Sequence, residues 1–259
     1  MRQRKVKNEG ARLAAMAHYT AGSPREMKGS WRELAELCMG AGERPAAVPV
    51  ALAGGGRTGG GPGAPPEKAA SGEEREAARE VPLFLELGCG RGHFLTALAQ
   101  AHPGRFYIGA EGRSSIVLRA LELADSLRLP NVIFIAEFIS RVEDYFAEGE
   151  LAGIYLNFSD PWPKARYAKH RLTHRSFLEG YKKAMVPGGL LEIKTDNDAL
   201  FAFTLEELAA AGYELLECTG DLHGTELPAR LVTSQYEERF LKLGEKINYC
   251  MARTPERRP

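Results

Sequence analysis

From Val81 onward, apolar strand-like runs alternate with segments of helical period, and this alternation constrains the fold more than any other feature of the chain. The expected strands span 82–87, 106–111, 132–136, 154–158, 190–195, 213–218 and 247–252. The expected helices lie near 93–101, 114–127, 140–147, 173–185, 198–211 and 235–243. A succession of this kind predicts an α/β fold with a doubly wound, mostly parallel sheet. Such a sheet takes its ligand at the carboxyl ends of the strands, beside the point where strand order reverses. The loops that follow the strands are therefore where chemistry is expected.

The 81–259 stretch is expected to form the α/β domain, and 1–40 a partly helical N-terminal segment. A short helix is expected over 30–38, with Ser30 as cap and Glu33 three positions later, as in a capping box. Between them, 41–72 is so rich in Gly, Pro and Ala that no period survives, and 41–80 reads as a linker or disordered insertion. The glycines at 54–56 and 59–61 superficially resemble a phosphate loop, but no strand precedes them and no Lys-Ser/Thr follows. With 44% apolar residues in 259, the chain can bury a real core. No apolar run reaches the roughly 18 residues of a membrane span, and the basic start carries no apolar stretch behind it, so a soluble, cytoplasmic protein is expected. Cys38, Cys89, Cys218 and Cys250 form no CxxC pair, so four reduced thiols and no metal site are expected. Lys plus Arg equals Asp plus Glu at 34 each, so any nucleic-acid partner has to be argued from local clustering.

The first expected strand runs through Leu85-Glu86-Leu87 into Gly88-Cys89-Gly90-Arg91-Gly92 and then a helix. Glycines here allow positive φ and close approach of a ligand. A dinucleotide fold would place its third glycine at 93, where this chain has His93. Glu86 would repel a diphosphate but suits a cationic amino-acid tail or a sulfonium. Glu111, about 20 residues after the turn, reads either as an acceptor for adenosine ribose hydroxyls or as a cap for the next helix. Glu137, at the end of the third strand, reads either as an adenine contact or as a surface acid, with Phe138 beside it as a candidate stacking ring.

After the fourth strand, two prolines are expected to hold Asn157-Phe158-Ser159-Asp160-Pro161-Trp162-Pro163 in extended geometry and present Asp160 and Trp162 at the mouth of the site. Lys164, Arg166, Lys169, Arg171 and Arg175, with His170 and His174, follow without an intervening acid. In a chain of zero net charge this run is a local footprint for phosphates.

These residues resemble the bacterial tRNA (guanine-N(7)-)-methyltransferase family. The resemblance covers most of 81–253 and is most specific at 160–172, at Lys194-Thr195-Asp196-Asn197 with Leu200-Phe201, and at Tyr236-Glu237-Glu238-Arg239-Phe240 with Gly244. It extends to Met1-Arg2-Gln3-Arg4 and Lys28-Gly29-Ser30-Trp31. It implies a Rossmann-like class I S-adenosylmethionine-dependent methyltransferase with one antiparallel strand near the C-terminus, acting on the variable-loop guanine at position 46 of tRNA. By the resemblance, Glu86 and Glu111 bind S-adenosylmethionine, as does Asp160, which is also the catalytic acid; the glycine turn and the third-strand end add Gly88, Gly90 and Glu137 as candidate cofactor contacts. Lys164 and Asp196 contact substrate; Arg166, Tyr167, Lys169, His170 and Arg171 contact RNA; and Ser234, Gln235, Tyr236 and Glu237 contact the target nucleotide. The chain departs from the family where the third-strand acid falls on Phe138, leaving Glu137 as a shifted substitute, and where Thr-Glu-Tyr-Glu becomes Ser234-Gln235-Tyr236-Glu237.

Guanine nitrogen-7 carries a free lone pair and no proton, so Asp160 is expected to act electrostatically and by positioning rather than as a base. Asp196 reads as a guanine contact or as the cap of the helix beginning near 198. Trp162 reads as a packing residue or a stacking platform, whereas Tyr236 and Phe240 read as core. The alternatives are a methyltransferase of another acceptor, a nucleotide-dependent oxidoreductase, or a silent RNA-binding module. Monomer and homodimer both stay open.

Overall fold

The computed structural model describes residues 7–40 and 80–256. The readings made for the first four residues and for 41–72 lie outside them. The seven strands are β1 (Leu83–Leu87), β2 (Phe106–Ala110), β3 (Val132–Ile135), β4 (Leu151–Asn157), β5 (Met185–Thr195), β6 (Glu214–Thr219) and β7 (Asn248–Arg253). They form one sheet in the order β3-β2-β1-β4-β5-β7-β6. Only β7 runs against the rest, pairing antiparallel with both β5 and β6. The order reverses between β1 and β4, which places the ligand crevice at their carboxyl ends.

Alternation along the strands divides the core between the two faces. Leu83, Leu85 and Leu87 of β1 join a cluster with Trp31, Leu34, Leu178, Tyr181 and Phe201. These come from α2 (Trp31–Gly40), α5 (Arg175–Ala184) and α6 (Asp198–Ala210). Phe84 packs on the opposite face with α3 (His93–Ala101) and α4 (Ser114–Ser126) through Phe94, Leu95, Val117 and Leu121. A third cluster, Leu222, Ile247 and Tyr249 with Phe158 and Phe240, fastens 220–244 and its helix α7 (Gln235–Lys242) over the far end of the sheet.

The N-terminal segment shares these cores. After α1 (Glu9–Ala15), whose Arg12 pairs with Glu122 of α4, Thr20 bridges Phe134 at the β3 edge and Ala21 donates its amide to the Phe134 carbonyl. That contact covers an edge otherwise open to pairing. Trp31 is fully buried and donates its indole N–H to the Tyr145 carbonyl at 2.8 Å. The amides of Gly29 and Trp31 at the start of α2 donate to Glu150, a partner from distant chain that the local capping-box pattern does not contain.

The helix expected over 140–147 is a single 3-10 turn, Val142–Asp144. Its apolar residues Val142, Tyr145 and Phe146 all reach the core, and one tight turn suffices for that because the Tyr145 and Phe146 amides both donate to the Val142 carbonyl. No helix among the described residues is long and apolar enough to cross a membrane.

Candidate active site

At the strand-order reversal, register aligns Glu86 with Tyr155, Tyr155 with Glu192, and Asn157 with Lys194. These side chains share one face of the sheet. Glu86 is 2% exposed; its Oε1 accepts from Asn157 Nδ2 at 2.9 Å, while its Oε2 is buried with no partner. Burial pushes its pKa up to about 7, against the pull of the Asn157 bond and of Lys194. A buried acceptor left unmet costs free energy unless a ligand supplies a donor. The turn above is built to admit one. Gly88 and Gly90 lie at φ 77° and 56°, and a Cβ on either would meet nothing within 4 Å, leaving backbone open to an approaching group. Gly92 serves packing instead, since its Cβ would fall 2.7 Å from that of Ala120. An acid awaiting a donor beside an open glycine turn fits the ammonium and sulfonium of S-adenosylmethionine.

At the end of β2, Glu111 is buried and accepts the amide of Arg113, the residue that precedes α4, at 2.9 Å. It thus ties the turn without bonding the helical amides. Glu137 is exposed and accepts the Tyr145 hydroxyl at 2.8 Å, a hydroxyl that also accepts from Arg25. Phe138 is 72% exposed, and its ring lies so close over Gly112 that a Cβ there would sit 2.2 Å away. The large ring therefore stands bare directly beyond Glu111.

The loop after β4 is not extended as the two prolines predict. Phe158 and Trp162 take left-handed backbone at φ 52° and 41°, Trp162 directly before Pro163. Such conformations cost about 1–3 kcal/mol each and persist only where surroundings enforce them. The enforcement is visible. Arg171 donates from Nε to the Pro161 carbonyl and from Nη2 to the Trp162 carbonyl, both at 3.0 Å, and stacks on Phe203. The Trp162 ring packs against Tyr167 and His170 of the 3-10 segment Ala165–His170, with Arg166 over Tyr167.

The basic run therefore divides. Arg171 holds the loop, and Arg175 grips Glu207 through both side-chain and backbone bonds. Lys164, Arg166 and Lys169 are exposed, and no acid among the described residues pairs with them. Asp160 and Asp196 are likewise exposed, following paired strands, with no side-chain bond among the described residues. The cap of α6 is Asn197, whose Oδ1 accepts the Leu200 amide, so Asp196 does not fill that role.

Glu237, read from sequence as facing the nucleotide, is 0% exposed. It accepts from Lys194 Nζ at 3.1 Å on both oxygens, contacts His223 Nε2 at 2.8 Å, and completes a capping box with Ser234. Lys194, also buried, donates further to the carbonyls of Ala229 and Val232. Desolvation lowers the Lys194 pKa and the Glu237 charge opposes that shift. The sequence held this pair 43 residues apart with nothing to join them. Ser234 is half-buried, while Gln235 and Tyr236 are exposed on α7. Tyr236 and Phe240 stack on Phe158 at 6.4 and 5.7 Å, so Tyr236 packs along one side while remaining 61% exposed.

Sheet order, glycine turn and orphaned Glu86 define a Rossmann-like S-adenosylmethionine-dependent methyltransferase. Residues 80–250 match the family described as a putative methyltransferase. The crystal structure of 16S rRNA methyltransferase KamB shares the fold at TM-score 0.51 and 14% identity, covering 73% of this chain and 95% of that one. A tRNA (guanine-N(7)-)-methyltransferase of Brevibacillus brevis is 43% identical over 64% of this chain and 78% of its own length. Those of Latilactobacillus sakei (41%, over 70% and 85%) and Lactococcus lactis subsp. cremoris (35%, over 95% of each) are also similar. The chain belongs to the tRNA (guanine-N(7)-)-methyltransferase family.

Proposed function

We propose that this protein transfers a methyl group from S-adenosylmethionine to nitrogen-7 of a guanine in tRNA, the variable-loop guanine at position 46, in the cytoplasm. One juxtaposition carries the reading: an unsatisfied buried carboxylate at the crevice, followed on the adjoining strand's loop by an unpaired acid and three unpaired cations. The first suits a cationic cofactor and the second a phosphate-bearing acceptor.

Bound S-adenosylmethionine would supply an electrophilic methyl on a sulfonium. Glu86 would accept from the cofactor's ammonium, Gly88 and Gly90 would leave room for the cofactor against the backbone, and Glu111 would take the ribose hydroxyls. Phe138 offers a face to the adenine, with Glu137 at its rim. Because nitrogen-7 needs no base, the chain's task is to align and to exclude water. Asp160, on a loop fixed by Arg171, would present its carboxylate to the positive charge that transfer moves from sulfur to purine, favouring that charge as it develops. Asp196 accepts from the guanine edge, and Ser234, Gln235 and Tyr236 border it. Glu237 acts on them from within, as a positioning residue. Lys164, Arg166 and Lys169 hold RNA phosphates, with Tyr167 and His170 presenting rings beside them.

The test is incubation of the protein with unmodified tRNA and S-adenosylmethionine, followed by mapping of 7-methylguanosine, with Asp160→Ala as control. Methylation of the variable-loop guanine by the wild type alone is expected. Methylation of a different acceptor, or none despite demonstrated cofactor binding, overturns it.

A further inference from the structure

Three faces of α7 have three different fates. Tyr236 and Phe240 stack on Phe158, and Glu237 is drawn inward by Lys194 and His223. Gln235, Glu238, Arg239 and Lys242 follow the i, i+3, i+4, i+7 spacing of a single helical stripe. That stripe borders a cleft of about 460 Å³, whose opposite wall is Arg91 of the glycine turn. Arg91 and the α7 residues Gln235, Glu238, Arg239 and Lys242 line the same cleft, which sets the glycine turn and the helix side by side. Arg91, Arg239 and Lys242 are exposed and have no ion-pair partner among the described residues, whereas Glu238 is the only carboxylate lining the cleft.

We propose that this cleft binds the sugar-phosphate backbone of the substrate tRNA, with Arg91, Arg239 and Lys242 as its phosphate contacts. It is a second phosphate site, separate from Lys164, Arg166 and Lys169, and it rests on the tRNA reading above. Charge favours this occupant: three cations line the cleft against one acid, in a chain whose cations and anions balance overall. The cofactor's own acids, Glu86 and Glu111, do not line the cleft. The cleft is open rather than enclosed, which suits a backbone laid across it. Position favours it too, since Arg91 shares a turn with the cofactor glycines and α7 begins directly after Ser234. A strand held in the cleft would pass alongside the transfer centre, so the target base is gripped from the side of the first loop as well as from the β4 loop.

The experiment measures binding of an unmodified tRNA transcript, and of S-adenosylhomocysteine, to the full chain as salt is varied. The proteins are wild type, Arg239→Ala/Lys242→Ala, and the charge-keeping Arg239→Lys/Lys242→Arg. Each lost phosphate contact removes about 0.7–0.9 from the slope of log K against log salt, so the alanine pair flattens it by about 1.4–1.8 and raises Kd roughly tenfold at low salt. The charge-keeping pair retains the wild-type slope, and S-adenosylhomocysteine affinity is the same in all three. An unchanged slope in a wild type that does bind and methylate tRNA overturns the cleft proposal and leaves the enzyme reading intact. Equal losses of tRNA and S-adenosylhomocysteine affinity overturn it as well, by showing that the stripe supports the cofactor site. A wild type that neither binds nor methylates tRNA brings down the enzyme reading and the cleft with it.

Discussion

Strand β1 and the 220–244 segment each contribute a buried carboxylate to the same region of the sheet, and the two are provisioned oppositely. Glu86 has one bond from Asn157 and one oxygen with nothing to accept. Glu237 is saturated by Lys194, His223 and the Ser234 amide. Burial alone therefore does not mark a binding residue; unmet hydrogen-bonding capacity does. Glu86 is folded into place at a cost that a ligand can relieve, whereas Glu237 spends its capacity fastening α7 to β5.

The largest expected effect tests the second half of that contrast. Glu237→Ala strands the Lys194 ammonium in the interior, which typically costs about 3–5 kcal/mol. In a chain of this size that lowers Tm by roughly 10 °C, readable by calorimetry. Removing both charges, with Lys194→Met and Glu237→Gln together, recovers much of the loss. A raised KM for tRNA at unchanged Tm would instead make Glu237 a nucleotide contact and dissolve the contrast. Next comes Asp160, the exposed acid between these two regions. Asp160→Ala is expected to lower kcat on the order of a hundred- to a thousandfold, as removal of one preorganised electrostatic group does. Because the side chain has no partner among the described residues, Tm stays unchanged; a falling Tm would make it structural.

The contrast itself could not be seen in the sequence, although most of the fold could. Strand and helix periods depend on local alternation, so all seven strands were legible to within a few residues, and β4 and β5 only began earlier than expected. Val142, Tyr145 and Phe146 misled because their spacing suits a helix and a single tight turn equally. The glycine turn was legible because positive φ writes itself into residue type. What stayed hidden was pairing at a distance. Nothing local distinguishes Arg171, which holds carbonyls nine and ten residues back, from Lys169, which holds none among the described residues, or marks Glu207 as the anchor of Arg175. The left-handed Trp162 was equally invisible, since the following proline predicts the opposite.

The first half of the contrast is sharpened by pH. With its pKa raised from 4.5 to about 7 by burial, Glu86 in the ligand-free protein contributes stability that is full below 4.5 and is lost as pH rises through 7. Cofactor binding has the opposite sign, because an ammonium requires the carboxylate. Affinity for S-adenosylhomocysteine, measured by titration calorimetry, should rise with pH and level off above about 7, with proton release near neutrality. Glu86→Gln should weaken binding roughly ten- to a hundredfold, flatten the pH profile and leave the ligand-free protein no less stable. A mutant that keeps the profile would assign the titration to another group.

The smallest effects belong to single phosphate contacts, and they separate free cations from committed ones. Lys164→Ala and Arg166→Ala should each reduce the salt slope of tRNA binding by about 1 while leaving kcat at saturating tRNA nearly unchanged. Arg171→Ala should do the reverse. It releases two carbonyls and the strained turn at Trp162, so Asp160 loses its fixed place, and kcat falls more than the salt slope changes. If Arg171→Ala instead flattened the slope as Lys164→Ala does, its guanidinium would be reaching phosphate. The distinction between the part of the loop that holds and the part that binds would then have to be redrawn one residue at a time.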